Sequence, residues 1–143
     1  MDLSYQEKSI LGSLLAMVAI YGYYFANTLR HVGEPQFEGG TLGRLIITVI
    51  ALIVVEIVYH IVLAIEQKPE RKDERDVLIE CKAYRNAYLL LASGAALLGT
   101  FEIIVGRVTL TPYLTVNLLL LAMVAGELTK LLTQLFYYRR GLR

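Results

Sequence analysis

Residues 45–65 read LIITVIALIVVEIVYHIVLAI. The apolarity is continuous rather than alternating, which excludes a membrane β-strand. At a rise of about 1.5 Å per residue, a run of about 20 residues covers the roughly 30 Å hydrocarbon layer. Exposed backbone polar groups are intolerable in that layer, so the run must be helical despite its β-branched content. Glu56 and His60 interrupt it.

Working outward, three more blocks share this character. Ser9 to Leu29 carries no charge, is too long for the apolar core of a secretory signal and lacks a small-residue cleavage site around Tyr21–Tyr24. Asn86 to Val105 carries Glu102, and Tyr113 to about Leu135 contains Glu127 and Lys130. A loop rich in turn formers (Gly33, Pro35, Gly39, Gly40 and Gly43) separates the first two blocks, and Gly106 to Pro112 makes a short connection between the last two. The composition agrees: 56% of the 143 residues are apolar and 19% charged, with a mean hydropathy of +0.53. That excludes a disordered chain, a disulfide scaffold and an ordinary soluble enzyme. The expected architecture is an all-α, single-domain membrane four-helix bundle over residues 1–143, antiparallel and up-down-up-down, with spans at 9–30, 44–66, 84–106 and 112–136. A net charge of +1 gives no field for nucleic acid. The single cysteine, Cys81, excludes an intrachain disulfide.

Orientation follows from the basic residues near the span ends. Lys68, Arg71, Lys72, Arg75, Lys82 and Arg85 lie between the second and third spans, and Arg139, Arg140 and Arg143 lie in the tail. The opposite loops hold only Arg30, Arg44 and Arg107. Both termini and the charged loop 67–83 are therefore expected in the cytoplasm. The run QKPERKDERD is expected to be mainly a solvated face, with the third helix beginning near Asp73 and projecting from the bilayer. Its alternative role is to dock a cytoplasmic protein through Arg71, Lys72, Asp73, Glu74 and Arg75.

Ionisable side chains in a span usually face protein and pair. Thr48, Leu52, Glu56 and His60 form one stripe on the second helix, and Ser13, Met17, Ile20, Tyr24, Asn27 and His31 form one on the first. The fourth carries Asn117, Leu120, Val124, Glu127, Leu131 and Gln134, and the third Ala95, Gly99, Glu102 and Gly106. Helix rise puts Glu56, His60 and Glu127 about 18, 24 and 23 Å from the outer ends of their helices, and Glu102 about 6 Å. An inner polar layer of Glu56, His60, Glu127 and Lys130 and an outer one of Glu102, Asn117 and Asn27 are expected. Desolvation and nearby charge act in opposite directions on such groups, so the inner layer can titrate near neutral pH.

Two readings of these layers stay open. The residues fix helix register, or Glu56, His60, Glu127, Glu102, Asn117 and Tyr59 form a proton or ion pathway. Glu56 and His60, one turn apart, make half a metal site that Glu127 would complete as a third ligand. Haem is disfavoured: His31 falls at the outer end of the first helix and His60 towards the inner half of the second, so they cannot share one iron within a subunit, and a bis-His site would need His60 from two subunits. Most tyrosines fall near span ends, as aromatic belts do. No Ser-His-Asp constellation or phosphate loop is visible, and no cofactor is expected beyond a metal ion.

The segment Asp73-Glu74-Arg75-Asp76-Val77-Leu78-Ile79-Glu80-Cys81-Lys82-Ala83 resembles a pattern in small prokaryotic four-span membrane proteins of unassigned function, where Asp-Glu-Arg precedes a Lys-Ala pair ahead of the third span. The resemblance covers about a tenth of the chain. It implies a prokaryotic plasma-membrane setting and no activity. Small multidrug resistance transporters also have four short spans, but this chain lacks their single acid in the first helix and any tryptophan. The functions to be weighed are a small proton- or cation-conducting homo-oligomer, a non-catalytic membrane adaptor, and a small membrane enzyme with a bound metal or cofactor.

Overall fold

A computed structural model describes residues 4–31, 33, 40–67, 73–105 and 111–140, with 101–105 described by backbone alone. They form four helices: α1 (Tyr5–Arg30), α2 (Thr41–Glu66), α3 (Glu74–Val105) and α4 (Pro112–Arg140). The all-α expectation holds, and the described residues contain no strand. Each helix is longer than the span expected of it, because residues flanking the apolar runs are helical too; α2, which follows Gly40, has no side-chain cap, whereas the starts of the other three do.

Ser4 and Glu7 form a capping box at the start of α1: the Ser4 hydroxyl accepts from the Glu7 amide at 3.2 Å, and the Glu7 carboxylate accepts from the Ser4 amide at 3.0 Å. Asp73 and Asp76 do the same for α3, the Asp76 amide donating to Asp73 at 2.8 Å and the Asp73 amide to Asp76 at 3.1 Å. α4 opens with Pro112, whose missing N–H costs nothing in a first turn, and the Thr111 hydroxyl accepts from the Leu114 amide at 3.3 Å.

The chain divides into two compact units, Met1–Arg71 and Lys72–Arg143. In the first, α1 and α2 form an antiparallel hairpin: Lys8 meets Tyr59 and Ser13 meets Glu56. The α1 seam is Ile10, Met17, Tyr21, Tyr24 and Thr28, which shares only Met17 and Tyr24 with the expected stripe. Tyr21 and Tyr24 are buried and packed on Phe25, with ring centroids 6.5 and 5.3 Å from it. They are not the lipid-facing belt expected of them; Tyr23, 77% exposed, does face outward. On α2 the stripe Thr48, Leu52, Glu56 and His60 is the half-buried face, as its spacing implied.

In the second unit, α3 and α4 also run antiparallel, with contacts from Asp76–Tyr138 to Gly94–Ala122. A Cβ on Gly94 would lie 3.2 Å from the Ala122 Cβ, and one on Gly126 would lie 3.5 Å from the Ala87 carbonyl. These glycines allow the two helices to approach closely, whereas Ala95 and Gly99, on the expected α3 stripe, are both exposed. Tyr113 is buried as well. Ile79 and Ala83, on the charged stretch of α3, are the most completely buried side chains among the described residues, both 0% exposed.

α1, α2 and α4 are long and apolar enough to cross a membrane. α2 makes the strongest case. It exposes Leu42, Ile46, Ile47, Ile50, Ile53, Val54, Val55, Ile57, Val58, Ile61, Val62 and Ile65. A soluble protein does not leave a contiguous apolar surface of that extent to water.

Candidate functional site

Antiparallel packing puts Ser13, eight residues into α1, opposite Glu56 and His60, which precede the end of α2 by ten and six residues. The Ser13 hydroxyl donates to Glu56 Oε2 at 2.7 Å. His60 Nε2 lies 3.2 Å from the same oxygen and 3.4 Å from Ser13 Oγ. When Glu56 is ionised it only accepts, and the Ser13 proton is directed to it, so in that state the proton on the ring sits at Nε2. A hydrolytic triad needs the reverse: the acid on Nδ1 and a bare Nε2 facing the serine. The cluster is therefore no nucleophile with its base. It is a carboxylate held by two donors, each able to exchange a proton. The side chains of Glu56 and His60 are 24% and 41% exposed, so the cluster opens to the hairpin surface.

Tyr59 stands beside it. Its hydroxyl donates to the Lys8 carbonyl at 2.7 Å, and its ring meets His60 edge-on at 5.6 Å between centroids. The ring lies directly over Gly12, where a Cβ would come 2.0 Å from Tyr59 Cζ. A glycine in mid-helix costs up to about 1 kcal/mol of helix propensity. Here it makes room for the phenol.

In the second unit the expected site residues find other partners. Glu127 is bridged by Lys130 one turn along α4, and its side chain is 48% exposed. The Lys130 side chain is only 18% exposed, and its ammonium lies 5.3 Å from the centre of the Tyr84 ring. Asn117 is buried and donates to the Tyr113 carbonyl of its own helix at 2.8 Å. The side chain of Glu102, and Arg71 and Lys72 of the docking run, lie outside the described residues. Of that run, Asp73 caps α3, while Glu74 and Arg75 are exposed. Among the described residues no three His, Cys, Asp or Glu side chains are grouped to hold a metal ion. Glu56 and His60 therefore stand as a two-ligand pair.

Gly12, Asp76 and Tyr138 are contributors that the spacing argument did not single out, and it did not pair Ser13 with Glu56. Ser13 lay on the expected α1 stripe, but only the hairpin register could join it to Glu56. Buried Asp76 accepts from the Tyr138 hydroxyl at 2.8 Å, beyond the expected span end at residue 136. Burial, then this bond to a carboxylate, push the Tyr138 phenol above its ordinary range. α3 and α4 also enclose an open hollow of about 400 Å³, lined almost wholly by apolar groups such as Leu90, Leu97, Leu118 and Leu121. It has no chemistry for an ion.

No family model matches this chain, and no curated protein or solved structure matches it either.

Proposed function

We propose that this is a multi-pass protein of a prokaryotic plasma membrane, with both termini cytoplasmic, that conducts protons through the α1–α2 hairpin. The observation carrying the proposal is the cluster of Ser13, Glu56 and His60, whose proton-exchanging atoms lie 2.7 to 3.4 Å apart within the apolar stretches of two helices. Ten residues from the end of α2, Glu56 lies about 15 Å from that end, deep enough to be inside the hydrocarbon layer. Proton transfer between groups at hydrogen-bond distance needs no wide pore. The pathway draws on α1 and α2; Glu127 is neutralised by Lys130 and serves as an accessory at most.

The test is proton uptake into vesicles reconstituted with the purified chain and loaded with a pH-sensitive dye. Glu56→Gln should cut the initial rate at least tenfold, and His60→Gln should do the same, while Glu127→Gln changes it less than twofold. Equal flux from the wild type and the Glu56→Gln variant would end this reading.

A membrane adaptor is the second reading. It is favoured by the pairing of Glu127 with Lys130 and by the use of Asp73 and Asp76 in helix capping, because polar groups spent in this way hold structure.

A further inference from the structure

The charged stretch of α3 has two faces. Asp76, Ile79 and Ala83 are buried. Turned well away from them, Val77, Cys81, Tyr84 and Tyr88 are exposed, at 50% for Val77, 58% for Tyr84 and 69% for Tyr88. Ala95 continues the line and is exposed, while Leu91, between Tyr88 and Ala95, is 36% exposed and borders Gly126 of α4. The steps of 4, 3, 4, 3 and 4 residues from Val77 to Ala95 are those of alternating d and a positions in a heptad repeat. Val77 lies about 10 Å before Tyr84, on the side away from the apolar run. Its end of the stripe therefore stands in water, where leaving apolar surface uncovered is costly.

We propose that this stripe is a dimerisation seam, and that its occupant is α3 of a second copy of this chain. A membrane gives both copies one orientation, so two α3 helices related by a two-fold axis along the bilayer normal run parallel, as a heptad seam of this kind requires. The flanking charges suit that register. Glu80 takes the g position and Arg85 the following e position, which in a parallel pair sets Glu80 of one copy beside Arg85 of the other. Glu80 also keeps a contact in its own chain, and Arg85 is exposed. Cys81 falls at an a position, on the two-fold axis, facing its own counterpart. The seam uses none of the residues of the proton pathway and stands apart from that reading.

The natural sequence carries its own probe, because Cys81 is the single cysteine. Membranes holding the full chain are oxidised with copper phenanthroline in air and run on a non-reducing gel. A covalent dimer is expected from the wild type. With Cys81→Ser as background, Val77→Cys and Tyr84→Cys should restore the dimer, and Arg75→Cys, at a b position outside the seam, should not. A wild-type chain that stays monomeric overturns the proposal, whether a soluble maleimide labels Cys81 or finds it shielded by something else. Equal crosslinking at Arg75→Cys and Val77→Cys overturns it as well, because random collision would then explain the dimer. In detergent, Val77→Lys with Tyr84→Lys should shift the native mass from dimer to monomer, and an unchanged mass counts against the seam.

Discussion

Gly12 and Tyr59 form a contact with no slack. A methyl group at Gly12 would occupy the space of the phenol, so Gly12→Ala must expel the Tyr59 ring and with it the bond to the Lys8 carbonyl. Overpacking of this kind costs about 1–3 kcal/mol. Gly12→Ala should lower the midpoint of thermal unfolding in detergent, although alanine is the better helix former. Tyr59→Ala should cost a similar amount, and the double variant less than the sum of the two, because the clash is then gone. Strict additivity would mean that the two residues do not meet. Glu56 and His60 could be singled out from sequence, since residues four apart on one helix share a face. Their partner Ser13 could not, because the pairing depends on how far one helix slides along another, and no local pattern encodes that.

At the level of helices, hydrophobic runs locate cores better than ends. All four helices were legible from long, predominantly apolar runs, and the start of α3 was legible from Asp73, which caps it. The start of α1 carried its own signal in Ser4 and Glu7, a serine and glutamate at capping-box spacing, which lies outside the apolar run. The end of α4 was set short because Tyr137, Tyr138, Arg139 and Arg140 look like an interface sequence, yet the helix runs through them. There Tyr138 hydrogen-bonds Asp76, Lys82 lies 4.9 Å over the Tyr137 ring, and Arg140 covers Phe136. Asp73→Ala removes the α3 cap and should cost about 1 kcal/mol, with Asp73→Asn nearly neutral. Tyr138→Phe leaves buried Asp76 without its phenol donor and should cost about 1–3 kcal/mol. Amide hydrogen exchange checks both: protection should fall first at Val77, whose N–H bonds the Asp73 carbonyl, and at Ile79. Unchanged protection there would mean that the first turn of α3 is held by other contacts.

For the whole molecule, the decisive quantity is apolar surface left outside. An aqueous protein would fold its most hydrophobic helix inward, yet α2 keeps only Thr41 and Leu63 buried. That inversion needs a solvent as oily as the side chains, which a bilayer supplies. The chain should stay with the membrane pellet after alkaline carbonate extraction. A lysine at Ile53, in the middle of the exposed α2 face, should oppose insertion by about 2.5–3.5 kcal/mol, the amount set by its depth. A glycosylation-site insertion assay reads this directly, and an inserted fraction equal to the wild type would place that face elsewhere. The expected stripe on α4 matched the observed seam at Asn117, Val124, Leu131 and Gln134 and failed at Glu127. Periodicity identifies a face, but it cannot register that Lys130, three residues on, lets an acid turn outward.

The outer face of α2 has one more property. Apart from Leu42, every large exposed apolar side chain on it is isoleucine or valine. Branching at Cβ confines such side chains to essentially one rotamer in a helix. They are as ordered before contact as after it, so little rotational entropy remains to be lost when a neighbour settles against them. α2 thus offers its surroundings a stiff, corrugated wall, and nearly all the ordering on contact falls to the molecules that line up along it.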